Sequence, residues 1–268
     1  MKLALCFSGQ PRTFEKSFIQ IRDKILNKYD CDIFISTYYY NEEISNKIIS
    51  LYNPKKINFN NERAVEHIND NYRNNIGLVK MKYFPDLRFE ENVSSHKFEN
   101  DIKSGVYNID NLFESEGSYV VNRPFVNELF NNNCLCQFYG IYDVSKLCLE
   151  YIRNNNTKYD YILRLRMDCY IENDFEIPDV EENQILINLI YNYNHSLKLH
   201  DHFFMAKPDA YFKLANMYNN MHNIINFINE HCWLPNMGYA ESILLIHVIL
   251  CNISIKESHK FKIFKLEP

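Results

Sequence analysis

Leu3-Ala4-Leu5-Cys6-Phe7-Ser8 is an apolar run near the start of the chain, followed by Gly9-Gln10-Pro11. Successive side chains of a β-strand point to opposite faces, so a strand with one wet face alternates apolar and polar residues. From Leu3 to Phe7 nothing is polar, so both faces should be covered, as in a central strand of a parallel sheet. The next segments agree. Phe14, Phe18, Ile21 and Ile25 recur at helical spacing within residues 13–28, and Glu15 stands in the first turn, where the helix dipole favours an acid. A second buried strand is expected at 31–37, a helix at 41–51 and a third short strand at 56–60. Parallel neighbours require crossover connections, and this β-α-β-α-β order supplies them. The expected fold is α/β, a Rossmann-type, mostly parallel central sheet flanked by helices.

Further along, the pattern loosens. Residues 62–122 are polar, with Asn and Asp clusters and few long periodic runs. They read as an irregular insertion or a flexible acceptor-facing region within one domain spanning 1–268. Order is expected to return near Pro124. A helix is expected at 133–154, with Leu135, Phe138, Tyr142, Ser145, Leu149 and Ile152 as its inner stripe and Asp143, Lys146, Glu150 and Arg153 outside. Strands are expected at 184–190 and 202–206, helices at 208–230 and 240–251, and closing strands at 253–255 and 261–264.

Composition narrows the function. The chain has 268 residues, 46% hydrophobic and 24% charged, enough for a full core. A net charge of −5 and no Lys/Arg run longer than two residues argue against nucleic-acid binding, which needs a basic surface to replace counterions. The apolar stretch at the start is shorter than the ~7–15 residues of a signal-peptide core, and Arg12 follows closely. Ile243–Cys251 is far short of the ~18 residues of a membrane span. The expectation is a soluble, cytoplasmic protein without a transmembrane segment. Its 8 cysteines include no CxxC pair, so reduced thiols are expected.

The strongest chemical signal is Arg164-Leu165-Arg166-Met167-Asp168. On a strand, Arg164, Arg166 and Asp168 share one face, and Leu163, Leu165 and Met167 share the other. Open α/β sheets bind ligands at the carboxyl ends of their strands. A guanidinium fork matches phosphate, and a carboxylate can hold a hard divalent cation. The plain alternative is a structural Arg–Asp pair. Ser8, Gly9, Gln10 and Arg12 form a second signal: a small-residue turn where backbone can approach a ligand and Arg12 can meet phosphate. No GxGxxG or GxxxxGK[ST] occurs. Third is His200-Asp201-His202-Phe203-Phe204, with Asp201 as a general base or acceptor anchor and the histidines as a weak metal pair. Fourth is Glu241, at the start of an apolar helix after a Pro/Gly loop. It reads either as a carboxylate at a pocket rim or as a first-turn acid.

Together these motifs resemble a glycosyltransferase-like family found in large DNA viruses, bacteria and algae. The resemblance is carried by Leu3–Arg12 (LALCFSGQPR), Asp32–Ile35 (DIFI), Gln137–Tyr139 (QFY), Tyr159–Asp168 (YDYILRLRMD) and Asp201–Phe204 (DHFF). It implies a GT-A fold, a nucleotide-diphosphate sugar as donor, a hydroxyl of a glycan or glycoconjugate as acceptor, and a divalent cation, Mn2+ or Mg2+. Such enzymes carry an Asp-x-Asp motif on metal and ribose. Here the matching positions read Arg166-Met167-Asp168, so only Asp168 remains as the metal residue, with Arg166 supplying charge or a distant acid or His259 completing the site. The implied mechanism has Ser8, Gly9, Gln10, Arg12 and Arg164 holding the nucleotide. Arg166 and Asp168 stabilise the departing diphosphate, and Asp201 or Glu241 deprotonates the acceptor. A non-catalytic nucleotide-sugar-binding protein and a nucleotidyltransferase remain as alternatives.

Overall fold

The opening run forms β1 (Lys2–Gly9), an interior strand of the sheet, and is buried from Leu3 to Ser8. The coordinates are a computed structural model and describe residues 1–60, 132–191, 197–221, 223–224, 240–258 and 261–265. Leu3, Leu5 and Phe7 join one core layer, and Ala4 and Cys6 join the other. Both faces of β1 are therefore covered, and that is why no polar residue interrupts them.

After β1 come α1 (Phe14–Ile21), a π-helical turn (Arg22–Leu26), β2 (Asp30–Tyr38), α2 (Glu42–Tyr52) and β3 (Lys56–Asn60). Asn41 caps α2, its side chain accepting from the Ile44 amide at 2.9 Å. The long helix α3 (Asn132–Asn155) leads to β4 (Tyr161–Arg166) and a two-residue turn into β5 (Cys169–Glu172). Then follow β6 (Gln184–Tyr191), β7 (Leu197–Ala206), α4 (Pro208–Ala215), a 3-10 turn (Asn216–Tyr218), α5 (Ala240–Leu250), β8 (Ser254–Glu257) and β9 (Lys262–Lys265).

The seven-stranded sheet has the order β3-β2-β1-β4-β7-β6-β8, and β5 pairs with β9 in a separate two-stranded ribbon. Pairing is parallel throughout the large sheet except along β7, which runs antiparallel to both β4 and β6. The chain winds outward from β1 to β3 and then returns to the other side of β1 with β4. The switch point, where a crevice opens for ligands, therefore lies at the carboxyl ends of β1 and β4. This is an α/β, mostly parallel, Rossmann-like architecture consistent with a GT-A fold.

Several expectations shift in detail. The expected 208–230 helix is broken after Ala215, where the Asn219 side-chain amide donates to Asn216 Oδ1 at 2.8 Å, and is helical again at Met221, Asn223 and Ile224; residues 225–230 lie outside the described residues. Asparagine side chains offer such local bonds in competition with the helix. The inner stripe of α3 includes Phe138, Ile141, Val144 and Cys148, and Asp143 is buried, not solvated. Its carboxylate accepts from Ser36 Oγ at 2.7 Å and Asn58 Nδ2 at 2.8 Å. The 62–122 insertion, the return of order near Pro124, the Pro/Gly loop before Ala240 and His259 lie outside the described residues. Among the described residues six cysteines are free thiols, and no described helix is long and apolar enough to cross a membrane.

Candidate active site at the switch point

Gly9 ends β1 with φ +110°, a conformation that suits glycine, and Thr37 Oγ1 donates to its carbonyl at 2.8 Å. The turn beyond it holds Gln10 and Arg12, and Arg12 Nε donates to Gln10 Oε1 at 2.8 Å. Arg12 is exposed. It forms no ion pair among the described residues.

Across the crevice, the register pairs Ser8 with Arg166. Asp168 lies not on β4 but in the turn just after it, and is fully buried. Arg166 grips it in a bidentate fork, Nε to Oδ1 at 2.8 Å and Nη2 to Oδ2 at 2.9 Å. Burial alone would raise the Asp168 carboxyl. The Arg166 hydrogen bonds and charge, with His202, instead hold it below the usual carboxylate range. Both oxygens are thus engaged by a cation already, and Asp168 on its own fits a metal ion poorly.

Arg164 is 1% exposed. Burial pushes its guanidinium down to about 10, with the Asp201 charge opposing that shift. Its Nε donates to Ser8 Oγ at 3.3 Å, and its Nη1 donates to the Asp201 backbone carbonyl. Arg164 therefore ties the end of β1 to β7 from within the protein, and a ligand outside does not reach it.

Asp201 sits where β7 is irregular. The β6–β7 register runs through Ile187↔Phe204 and resumes at Leu189↔Leu199. One β6 residue, Asn188, thus stands opposite His200, Asp201, His202 and Phe203. Asn188 turns away to the β9 end, donating to the Phe261 carbonyl at 3.2 Å and accepting from the Ile263 amide at 3.3 Å. A β-bulge re-aims side chains and is common beside functional sites. Because β7 runs antiparallel and Phe203 pairs with Leu165, the bulge falls beside Arg166 at the carboxyl edge of β4.

At this bulge His200, Asp201 and His202 bring one ligand atom each within 4.8 Å of one another, a group that could hold a metal ion. The two rings lie 4.2 Å apart between centroids, edge to face. His202 Nε2 is 3.3 Å from Asp201 Oδ1, and the Gln137 amide donates to Asp201 Oδ2. Both Nδ1 atoms are buried and without a hydrogen-bond partner. Burial pushes His202 down to about 3 against the pull of Asp201, and lowers His200 likewise. Burial would raise Asp201, but the positive charges of a protonated His202 and of Arg164, the Gln137 bond and Arg166 bring it below its ordinary value.

The structure thus brings Ser8, Arg164, Arg166, Asp168 and Asp201 together. It puts Gln10 and Arg12 on the facing turn. Glu241 stands in the first turn of α5, which packs against β7. Gln137, on α3, belongs to the cluster although sequence reasoning assigned it no role. Its only signal is its position at the start of the QFY segment. His247 is a core residue. Its Nε2 donates to the Lys213 carbonyl at 3.2 Å, and its Nδ1 accepts from the Asn220 amide at 3.3 Å.

No protein-family model and no curated protein matches the chain. Among solved structures it is similar to the apo-form glycosyltransferase GlyE of Streptococcus pneumoniae TIGR4, at 10% identity and a TM-score of 0.40. The match covers 96% of this chain and 44% of that one, so the chain spans less than half the length of that protein.

Proposed function

We propose that the protein is a glycosyltransferase that moves a sugar from a nucleotide-diphosphate sugar to a hydroxyl of a glycan or other acceptor. One observation carries this reading. At the sheet's switch point the end of β1, which leads into a glycine turn with an exposed Arg12, pairs beside a dense charge cluster of Arg166, Asp168 and Asp201. That is where an α/β sheet receives a phosphorylated ligand, and the motif resemblance falls on the same residues.

The Ser8–Gly9–Gln10 turn and Arg12 receive the nucleotide, with backbone and guanidinium facing the phosphates. Arg166, fixed in orientation by Asp168, presents positive charge to the leaving diphosphate. Preorganised charge of this kind usually contributes more to such catalysis than any other single effect. Arg164, being buried, positions Ser8 and Asp201 and does not touch the donor. Asp201 or Glu241 takes the acceptor proton, a contribution of typically ~10²–10⁴-fold. A divalent cation, Mn2+ or Mg2+, would add charge compensation for the diphosphate. The nucleotidyltransferase alternative predicts a nucleoside triphosphate as substrate, and the non-catalytic alternative predicts binding without turnover.

The test is a thermal-shift panel of UDP- and GDP-sugars, nucleoside triphosphates and free nucleosides, on wild type and Arg12→Ala. The proposal expects stabilisation by sugar nucleotides, weakened in the variant. A response to triphosphates alone would move the assignment to the nucleotidyltransferase reading.

A further inference from the structure

On a regular strand, three consecutive side chains cannot converge, because the middle one points to the opposite face. His200, Asp201 and His202 do converge, and the four-against-one bulge of β7 over Asn188 makes that possible. Backbone has been diverted to gather two imidazoles and a carboxylate at the rim of the crevice. Hydrogen bonding alone does not account for this, since His200 Nδ1 is buried without a partner; His202 Nδ1 is unpartnered too, but that ring turns its Nε2 to Asp201. Buried polar atoms are nearly always satisfied, and an unsatisfied one in a functional region points to an absent partner such as an ion.

The spacing fits. His202 Nε2 and Asp201 Oδ1 are 3.3 Å apart. Two donors on one tetrahedral ion with bonds of about 2.0–2.1 Å stand roughly 3.4 Å apart. All three donors lie within 4.8 Å of one another, so His200 needs to close by at most roughly 1.4 Å. The Gln137 amide holds Asp201 Oδ2, leaving Oδ1 turned toward His202. Hydrogen-bonded outer partners of this kind orient a ligating carboxylate. His200 and His202 are only partly buried, which leaves a way in.

We propose that His200, Asp201 and His202 bind one divalent transition-metal ion, with one ring nitrogen from each histidine and Asp201 Oδ1 as donors. Two imidazoles select for ions such as Zn2+ and Co2+ over Mg2+, which prefers an all-oxygen shell. Three protein ligands leave a further position for an outside oxygen ligand. This site replaces Asp168, whose oxygens Arg166 occupies, as the seat for metal. As a metal ligand, Asp201 is no longer the candidate base, and that role passes to Glu241. The inference concerns metal binding alone. A chain that binds Co2+ but turns over no sugar nucleotide keeps it and loses the transferase reading.

The experiment is titration of the metal-stripped full chain with Co2+, Zn2+ and Mg2+, by calorimetry and, for Co2+, by visible absorption. The expected result is one ion per chain, Mg2+ binding far more weakly than Zn2+, and intense Co2+ bands of a low-coordinate nitrogen–oxygen site. His200→Gln and His202→Gln should each weaken Co2+ binding by at least roughly 10- to 100-fold, with unchanged far-ultraviolet circular dichroism. Absence of stoichiometric binding, a preference for Mg2+, or a near-ultraviolet thiolate-to-cobalt band assigning the ion to cysteine would each overturn it. So would full affinity in a folded His202→Gln variant. If the variants do not fold, the wild-type spectrum and metal preference decide alone.

Discussion

Arg166→Met should expose how firmly the Asp168 carboxylate depends on its partner. The pair is bidentate at 2.8 and 2.9 Å, and the Asp168 side chain is 1% exposed against 17% for Arg166. Removing one partner of a buried pair typically costs ~3–5 kcal/mol, because the other charge is left without compensation. Arg166 keeps some solvent contact, so the lower end, about 3 kcal/mol, is expected. The pH dependence should also change sign. In the wild type the depressed Asp168 carboxyl contributes stability above the unfolded value of about 3.9, and that stability is lost as pH falls through the folded value. Without Arg166, burial raises the carboxyl, the folded state binds the extra proton, and the variant loses stability as pH rises. The assay is urea unfolding from about pH 2 to 8 on wild type, Arg166→Met, Asp168→Asn and the double variant. The double-mutant cycle should return a coupling above about 2 kcal/mol. A coupling below about 1 kcal/mol, the value of an exposed pair, would refute the reasoning.

Three further outcomes are expected. His247 is buried and held at about 4, below its unfolded value of about 6.5, so the wild type should lose up to about 3 kcal/mol as pH falls between those values; urea unfolding of His247→Leu should show a correspondingly flatter profile in that window. Gly9→Ala should destabilise by more than ~1 kcal/mol through backbone strain at φ +110°, since an added Cβ meets nothing within 4 Å; a melting temperature equal to wild type would contradict that. Arg12→Ala should leave stability unchanged but weaken nucleoside-diphosphate binding roughly 10- to 100-fold in calorimetry, as expected for loss of a charged hydrogen bond.

The sheet's parallel half was readable because its signals are local. Leu3–Phe7 has no polar interruption, and the amphipathic spacing of Phe14, Phe18, Ile21 and Ile25 lies within a few turns. The right-hand half depends on long-range pairing. Nothing in Leu197–Ala206 alone reports that this strand runs antiparallel, or that Asn188 faces four residues of it. The charge cluster was foreseen as a face of β4, yet its internal arrangement was not. Alternation puts Arg164, Arg166 and Asp168 on one side, but only the packing of α3 and β7 decides which is sealed in. Arg164 is buried under β7, whereas Arg166 lies at the end of β4 and bends back onto Asp168. Asp143 was misread for a similar reason, since its partners Ser36 and Asn58 are about 85 to 107 residues away. The β5–β9 ribbon is likewise a long-range pairing, and its Cys169–Glu172 strand is too short to carry a pattern.

The central claim meets its most direct test in one measurement, nucleoside-diphosphate release from a panel of UDP- and GDP-sugars by wild type and Asp168→Asn, with Co2+, Mn2+ or no metal. The account predicts release from at least one sugar nucleotide, and a rate in the folded variant lower by on the order of 100-fold, as Arg166 loses its fixed orientation. Release at the wild-type rate by folded Asp168→Asn, or no turnover of any sugar nucleotide under any metal condition, would contradict it.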